Sequence, residues 1–381
     1  MILPELCYPG KKSKQEILES IEPATFNNTP VFGENLLILG DCRSVLKALL
    51  PEFKGKIDLV YIDPPFSTKN VFRISSCGRA NSISQRKEGE IAYSDTLTGI
   101  DYLEFIRETL YLIYELLSDQ GSIYFHIDYK IGHYVKIIMD EIFGFENFRN
   151  DITRIKCNPK NFRRKGYGNI KDLILFYTKS NRFIWNEPYI PYTEEDIKRL
   201  FPKVDKDGRR YTTIPLHAPG ETKNGKTAQP FKGILPPPGR HWRTSVEILE
   251  EWDKKGLIEW SKNGVPRKKI YPEDRKGKRI QDIWEFKDPQ YPSYPTEKNL
   301  NLLKLIIKTS SNEDSYVLDC FCGSGTTLVA SSLLNRKWIG IDASIKAIEI
   351  ARKRLSGTKY QFIETFSRSL QTETFGATLN G

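Results

Sequence analysis

The 381-residue chain contains no long hydrophobic run, few histidines and no cysteines at zinc-binding spacing. No apolar stretch approaches the roughly 18 residues that a membrane helix needs. The first ten residues also lack the apolar core of a signal peptide. These absences predict a cytoplasmic protein without a membrane partner. At this length the chain can bury a large core, either as one domain with an insertion or as two domains.

The six cysteines are scattered, and only four histidines are available to complete a metal site. None of the cysteines forms the Cys-x-x-Cys pair that is typical of structural zinc. Cys320 and Cys322 could together bind a metal, but they lie in a glycine-rich turn where small residues are needed for another reason. We therefore expect reduced cysteines and no metal site.

The net charge of +10 is concentrated in one part of the chain. Between Asp151 and Pro295 there are 31 Lys and Arg against 19 Asp and Glu, whereas the rest has 27 against 29. A basic balance confined to one segment predicts a surface that neutralises phosphates, and so a nucleic-acid partner. Taken alone, the charge fits a solvated, lysine-rich surface equally well.

Short apolar strands alternate with amphipathic helices on both sides of the basic segment. The predicted strands are residues 35–40, 56–62, 122–127, 316–319 and 338–341. The predicted helices are residues 43–50, 102–117, 131–143, 298–309, a helix after Gly325, and residues 345–355. This alternation predicts an α/β fold with a doubly wound, mostly parallel sheet.

Three segments depart from the alternation. Residues 67–97 are rich in Gly, Ser, Asn and basic residues, and because so long a loop is usually functional, we expect a mobile loop beside an active site. Residues 151–293 are rich in Pro, Gly, aromatic and basic residues and are predicted to be an inserted module between residues 1–150 and 294–366. Residues 367–381 are polar and are expected to form a loose tail.

A glycine-rich turn follows the strand that ends at Asp319. Gly323 and Gly325 let a ligand approach the backbone at the start of the next helix. The following strand ends at Asp342, 17 residues after Gly325, where an acidic side chain can bind ribose hydroxyls. This pattern predicts a nucleoside pocket. The full Gly-x-Gly-x-x-Gly signature is absent, so a purely structural turn remains the alternative for the glycines alone.

The tetrapeptide Asp63-Pro64-Pro65-Phe66 closes the strand that begins at Lys56. Two prolines fix the backbone and remove two N–H donors, so a carboxylate and carbonyl groups face the cleft at the strand end. These acceptors suit an amine whose lone pair must be freed to attack a methyl sulfonium, and Phe66 offers a face for stacking a base. The alternative is a strand followed by an ordinary proline turn.

Together these motifs resemble the S-adenosylmethionine-dependent amino-methyltransferases of DNA, in particular the adenine-N6 enzymes of the Mod type. Residues 321–325 match the family's methyl-donor motif, residues 63–66 its catalytic motif and residues 294–298 a third motif. The family often has His and Pro where this chain has Tyr294 and Asn299. Because the catalytic motif precedes the donor motif, the order resembles the beta-class permutation. The resemblance implies a circularly permuted Rossmann-like fold with residues 151–293 as a target-recognition insert.

The resemblance also implies roles for individual residues. Asp41 would contact the donor's adenine, Asp342 its ribose, and Thr296 and Lys298 its amino-acid end. The other predicted donor-binding residues are Cys42, Asp63, Asp319, Phe321, Cys322, Gly323, Ser324, Gly325, Thr326 and Thr327. The candidate DNA-binding residues are Arg163, Arg164, Arg209, Arg240 and Arg243. Cys42 is not expected to be a nucleophile, because transfer to an exocyclic nitrogen is direct.

The leading hypothesis is adenine-N6 methylation of a base flipped out of duplex DNA. Asp in the first motif position favours adenine over cytosine-N4, for which the family commonly has Ser. Cytosine-N4 methylation, a catalytically silent DNA-binding partner, and methylation of RNA or of a protein amide are the alternatives. Double-stranded DNA is the expected partner and would place the protein at the nucleoid. A restriction endonuclease subunit on another chain and a second copy of this chain are the protein partners left open.

Overall fold

The computed structural model describes residues 4–65, 71–74, 90–94, 99–159, 163, 165–261, 264–290, 292 and 297–366. The chain divides into a larger unit, residues 1–187 and 281–381, and a smaller unit, residues 188–280. Most of the predicted loop 67–97 and the predicted tail 367–381 lie outside the described residues.

The regular elements of the described residues alternate along most of the chain. The strands are β1 (Thr25–Phe26), β2 (Leu36–Leu39), β3 (Ile57–Ile62), β4 (Val71–Ile74), β5 (Glu90–Ser94), β6 (Leu117–Ile127), β7 (Phe148–Ile155), β8 (Lys171–Thr178), β9 (Tyr189–Ile190), β10 (Lys203–Val204), β11 (Arg210–Pro215), β12 (His217–Pro219), β13 (Arg240–Trp242), β14 (Ile258–Trp260), β15 (Pro266–Ile270), β16 (Lys278–Arg279), β17 (Ile283–Glu285), β18 (Tyr316–Asp319), β19 (Lys337–Asp342) and β20 (Gln361–Phe366). The α-helices are α1 (Lys14–Ser20), α2 (Cys42–Phe53), α3 (Gly99–Leu116), α4 (Gly132–Phe143), α5 (Glu194–Leu200), α6 (Val246–Lys254), α7 (Leu300–Ser310), α8 (Thr326–Leu333) and α9 (Ile345–Arg354).

A ten-stranded sheet forms the centre of the larger unit, in the order β1-β20-β2-β19-β18-β3-β6-β8-β7-β17. The strands from β20 to β6 in this order are parallel to one another, whereas β8 is antiparallel to β6 and β7. The predicted mostly parallel α/β sheet is therefore confirmed. Within this sheet the strand that follows β18 in the chain is β19, which lies on one side of the β18–β3 pair. The strand of this sheet that follows β3 is β6, which lies on the other side. The switch point lies between β18 and β3, where open α/β sheets bind ligands.

Helices cover both faces of this sheet because both faces of its central strands are apolar. Val60 of β3 and Phe125 of β6 belong to the core cluster that also contains Ile106 of α3. On the other face, the hydroxyl of Tyr124 lies 2.8 Å from Ser310 Oγ at the end of α7. The two layers fix the carboxyl ends of β3, β6 and β18 at one edge of the unit.

The boundaries of some predicted elements need correction. The predicted helix 102–117 is Gly99–Leu116, and Leu117 belongs to β6 because it pairs with Ile57 of β3. The sheet also contains β7 and β8, although their residues were predicted to belong to the insert. Residues 173–177 of β8 are buried and apolar, which suits an interior strand. The smaller unit, residues 188–280, is therefore narrower than the predicted insert 151–293.

The smaller unit is built from short antiparallel strands. It contains a four-stranded sheet, β10-β11-β15-β14, the hairpin β12-β13 and the pair β16-β9. Its core consists of Leu216, Phe231, Trp242, Leu249 and Ile258. The unit has 21 Lys and Arg against 13 Asp and Glu, so most of the basic excess lies here. None of the helices in the described part of the chain is long and apolar enough to cross a membrane.

Candidate active site

The turn after β18 depends on glycine backbone geometry. Gly323 and Gly325 have positive φ angles of 50° and 77°. A Cβ atom at Gly325 would lie 3.1 Å from the Cβ of Ala351 on α9. Gly325 is also the residue that precedes α8, so the turn presents its backbone at a helix start. This is the geometry that the sequence predicted for close approach of a ligand.

Asp319 supports the turn from inside the protein. Its carboxylate accepts hydrogen bonds from the backbone N–H of Phe321 at 3.1 Å and from Thr327 Oγ1 at 2.6 Å. Burial raises the pKa of Asp319 to about 7, although these two hydrogen bonds oppose the rise. Asp319 is almost fully buried. It shapes the predicted donor site through the turn, and its contact with a donor remains a prediction.

Asp342 connects the end of β19 to the same turn. Its carboxylate accepts hydrogen bonds from the N–H groups of Gly323 at 2.8 Å and Ser344 at 2.8 Å. Burial raises the pKa of Asp342 above its ordinary value. Each carboxylate oxygen has a second acceptor site, which a ribose hydroxyl can use. The structure therefore places Asp342, the predicted ribose-binding residue, directly beside the glycine turn.

Arg354 at the end of α9 is a component of the site that was not predicted from the sequence. Its Nη1 atom donates to Ser324 Oγ at 2.7 Å and Thr326 Oγ1 at 3.1 Å. The same atom lies 3.2 Å from a carboxylate oxygen of Glu297. Arg354 thus joins the turn to the segment before α7. A basic residue at a helix C-terminus is common for electrostatic reasons, so the sequence alone did not distinguish it.

Asp41 and Cys42 lie at the start of α2. The carboxylate of Asp41 caps this helix by accepting from the N–H groups of Arg43 and Ser44, both at 3.1 Å, and the residue is exposed. Cys42 is buried, and burial raises the pKa of its thiol well above the ordinary value. A thiol of this kind is a poor nucleophile. The proposed contact of Asp41 with a donor adenine remains a prediction.

Asp63 follows β3, directly beside the strand that carries the glycine turn. Its side chain is 15% exposed, and Oδ2 lies 2.5 Å from Lys298 Nζ. Its other oxygen, Oδ1, is buried and accepts no hydrogen bond from the described residues. Pro64 is buried and Pro65 is partly buried. Phe66 and Thr296 lie outside the described residues.

A row of polar side chains extends from Asp63 across the neighbouring strands. His126 Nδ1 lies 3.9 Å from Asp63 Oδ1 and 2.8 Å from the hydroxyl of Tyr61. On its other side, His126 Nε2 lies 3.3 Å from Asp172 Oδ2. Asp172 contacts Lys156 Nζ at 2.6 Å and Arg154 at 3.4 Å. This row was not predicted from the sequence, although a histidine within an otherwise apolar strand was a signal for it.

The candidate DNA-binding arginines differ in their surroundings. Arg209 is 51% exposed but pairs with Asp205 at 3.3 Å and lies 4.1 Å over the ring of Tyr271. Arg240 and Arg243 are exposed on and beside β13 and form no ion pair within the described residues. Arg240 Nη1 lies 3.2 Å from His217 Nδ1, and Arg243 Nε donates to the Pro215 carbonyl at 3.2 Å. Burial is the largest effect that lowers the pKa of His217, and both arginines act in the same direction.

Arg163 is exposed. Arg164 lies outside the described residues.

The fold is that of a Rossmann-like methyltransferase. The profile of the family described as "DNA methylase" matches residues 57–353, which is most of the chain. The chain belongs to this DNA methylase family.

Its relatives include restriction-modification proteins. The type II methyltransferase M.EcaI of Enterobacter cloacae is 40% identical over 382 residues, covering 97% of this chain and 81% of that protein. The type III StyLTI Mod subunit of Salmonella typhimurium is 26% identical, covering 94% of this chain and 59% of that protein. Among solved structures, the M1.HpyAVI–SAM complex is 19% identical with a TM-score of 0.43, covering 84% of this chain and 100% of that chain.

Proposed function

We propose that the protein transfers the methyl group of S-adenosylmethionine to the N6 amino group of an adenine flipped out of duplex DNA. One observation carries this proposal: a partly exposed carboxylate, Asp63, ends the strand next to the one that carries the glycine turn. Donor and acceptor positions therefore adjoin at the switch point of the sheet.

The residues of the turn fit a nucleoside-containing donor. A side chain at Gly325 would crowd Ala351, so this position keeps the backbone open, and Asp342 retains acceptor sites for ribose hydroxyls. When bound, the donor supplies an electrophilic methyl group on a sulfonium. We assign Lys298 and Thr296 to its amino-acid end by resemblance to the family.

Asp63 and the Pro64 carbonyl would accept the two hydrogens of the target amine. The lone pair of such an amine is delocalised into the base, and two fixed acceptors favour the pyramidal form in which it points at the methyl group. Lys298 contributes by holding the Asp63 carboxylate in one orientation. Asp63 acts as an acceptor in this scheme, not as a nucleophile or metal ligand.

Asp63 also supports adenine over cytosine as the target base. The related cytosine-N4 enzymes commonly have Ser at this motif position, whereas the adenine enzymes have Asp. Cytosine-N4 methylation is the second candidate, because its acceptor is also an exocyclic amine and needs the same geometry. The two reactions give different modified nucleosides.

The smaller unit is the proposed target-recognition module. Its basic excess and the exposed Arg240 and Arg243 support contacts with DNA phosphates. Duplex DNA is therefore favoured over RNA or a protein amide as substrate. We assign any restriction activity to another chain.

The test is incubation of the purified protein with methyl-labelled donor and duplex DNA, followed by nucleoside analysis. Label in N6-methyladenine is the expected result. Label in N4-methylcytosine would show that the target base is cytosine and not adenine. No label in any base, with intact donor binding, would identify a catalytically silent DNA-binding protein, and label in a matched RNA alone would exclude DNA as substrate.

A further inference from the structure

We propose that His126 accepts, through Asp63, the proton that the amine loses on methylation. The inference rests on the proposed function but not on the choice of base, because adenine N6 and cytosine N4 both lose one proton. Its basis is the pair formed by Asp63 Oδ1, a buried oxygen with no hydrogen-bond donor among the described residues, and His126 Nδ1, 3.9 Å away.

The surroundings of His126 define its tautomer. Asp172 contacts both Lys156 and Arg154, so its carboxylate is ionised and can only accept hydrogen bonds. His126 Nε2 must then carry the hydrogen that it donates to Asp172. In the neutral ring Nδ1 is consequently the acceptor, and the Tyr61 hydroxyl donates to it at 2.8 Å. The nitrogen nearest Asp63 is therefore the one that can take up a proton.

The proton balance has two steps. Attack of the amine lone pair forms the N–CH3 bond while the donor's CH3–S bond breaks, and the sulfonium leaves as a neutral thioether. The nitrogen is then positively charged; its N–H bond breaks and an O–H bond forms on the Asp63 carboxylate. Protonation neutralises Asp63 and so weakens its ion pair with Lys298. The carboxyl group can then rotate about a soft torsion, which brings the proton to the Oδ1 side. The Tyr61 hydroxyl turns its hydrogen away and frees the lone pair of His126 Nδ1. The O–H bond of Asp63 then breaks and an N–H bond forms at Nδ1, after an approach of about 1 Å. Asp63 is again ionised, and the imidazolium later releases the proton to water.

An imidazolium at this position has compensating charges on both sides. Asp63 of β3 and Asp172 of β8 flank the ring, and both favour its charged form. Burial, the largest effect, lowers the pKa of His126, and Lys298 acts in the same direction. Beyond Asp172 lie Arg154 and Lys156, and Arg154 also pairs with Asp288. His126 is therefore neutral before the reaction and able to accept.

The experiment measures single-turnover methyl transfer as a function of pH. The wild-type rate of methyl transfer should fall as pH falls through the pKa of His126, which lies below its ordinary value of 6.5. This fall is the acid limb of the pH profile. His126→Gln should slow transfer by at least about tenfold and remove this limb, a smaller effect than the roughly 10²–10⁴ of direct acid–base groups. Tyr61→Phe should move the limb to higher pH, because it removes the hydrogen bond that favours the neutral ring.

Two further measurements separate this role from a structural one. Tyr124→Phe is the matched control: it removes a buried hydroxyl from the same strand as His126, where it contacts Ser310, and should leave the pH profile unchanged. Labelling the four histidines for NMR gives the His126 pKa directly. That pKa should coincide with the kinetic limb and rise in Tyr61→Phe.

A wild-type limb that persists in His126→Gln would overturn the proposal. If that variant does not fold, an unshifted limb in Tyr61→Phe would overturn it instead. Failure of the proposed function would appear differently, as absence of methyl transfer by the wild-type protein.

Discussion

Lys298 Nζ lies 2.5 Å from Asp63 Oδ2, and the preceding residue, Glu297, pairs with Arg354 at 3.2 Å. Arg354 in turn holds the glycine turn through Ser324. Two adjacent residues before α7 therefore tie the proposed methyl-accepting site to the proposed donor site. A substitution in either site should therefore alter the other site through this connection.

Substitution of Gly325 by Ala should weaken donor binding. The φ angle of 77° costs an L-residue roughly 1–2 kcal/mol, and the new Cβ would crowd Ala351 at 3.1 Å. Gly357→Ala is the matched control, because Gly357 has a φ of 88° but no neighbour among the described residues within 4 Å of the Cβ that alanine would add. Calorimetric titration should show weaker donor binding for Gly325→Ala alone, while both variants lose stability. Equal donor affinities would contradict the assignment of the turn.

Asp319→Asn should change how stability depends on pH. The pKa of Asp319 is raised from 3.8 to about 7 in the folded protein, chiefly by burial. The folded state then binds more protons than the unfolded state between these values, so this residue's contribution to stability is lost as pH rises. The unfolding free energy of the variant relative to wild type should increase across that window, by at most about 1.4 kcal/mol per pH unit.

Denaturant unfolding at several pH values measures this difference. If the difference in unfolding free energy between Asp319→Asn and wild type stays constant from pH 4 to about pH 7, the pKa of Asp319 is not raised.

The double variant Arg240→Ala/Arg243→Ala should bind DNA more weakly and with less salt dependence. If each arginine contacts one phosphate, the slope of log affinity against log salt should fall in magnitude by about 2. Arg209→Ala is the control, since Arg209 pairs with Asp205 and lies over Tyr271. It should leave the slope unchanged and lower stability by roughly 1 kcal/mol or less. An unchanged slope in the double variant would show that neither arginine contacts a DNA phosphate.

The parallel part of the fold was predictable because its signals are local. Buried parallel strands are short apolar runs, and β3 and β18 each end in a motif with its own chemistry. The boundaries of the insert were not predictable from composition. The apolar run of β8 looks the same in a small module as in a large sheet, and only pairing with β6 assigns it to the sheet.

The polar groups behind the site were harder to find because they meet only in three dimensions. His126 lies on β6, Asp172 on β8 and Arg154 on β7, so no sequence motif contains them. The glycine turn and Asp63 each occur as a contiguous motif. Arg354 resembles an ordinary cation at a helix end, and its contacts with the turn appear only when α9 lies beside the glycine turn.

The central claim is that the Asp63 carboxylate orients an exocyclic amine for methylation. The most direct measurement is the single-turnover methyl-transfer rate of Asp63→Ala, compared with Asp58→Ala on the same strand, whose side chain contacts Ser118 at 2.8 Å. Asp63→Ala should lower the rate by about 10²–10³-fold, as loss of a positioned polar group does in other enzymes, with little change in donor affinity. Asp58→Ala should transfer methyl groups at close to the wild-type rate. An Asp63→Ala protein that is folded, binds donor and DNA, and methylates as fast as the wild type would contradict the account.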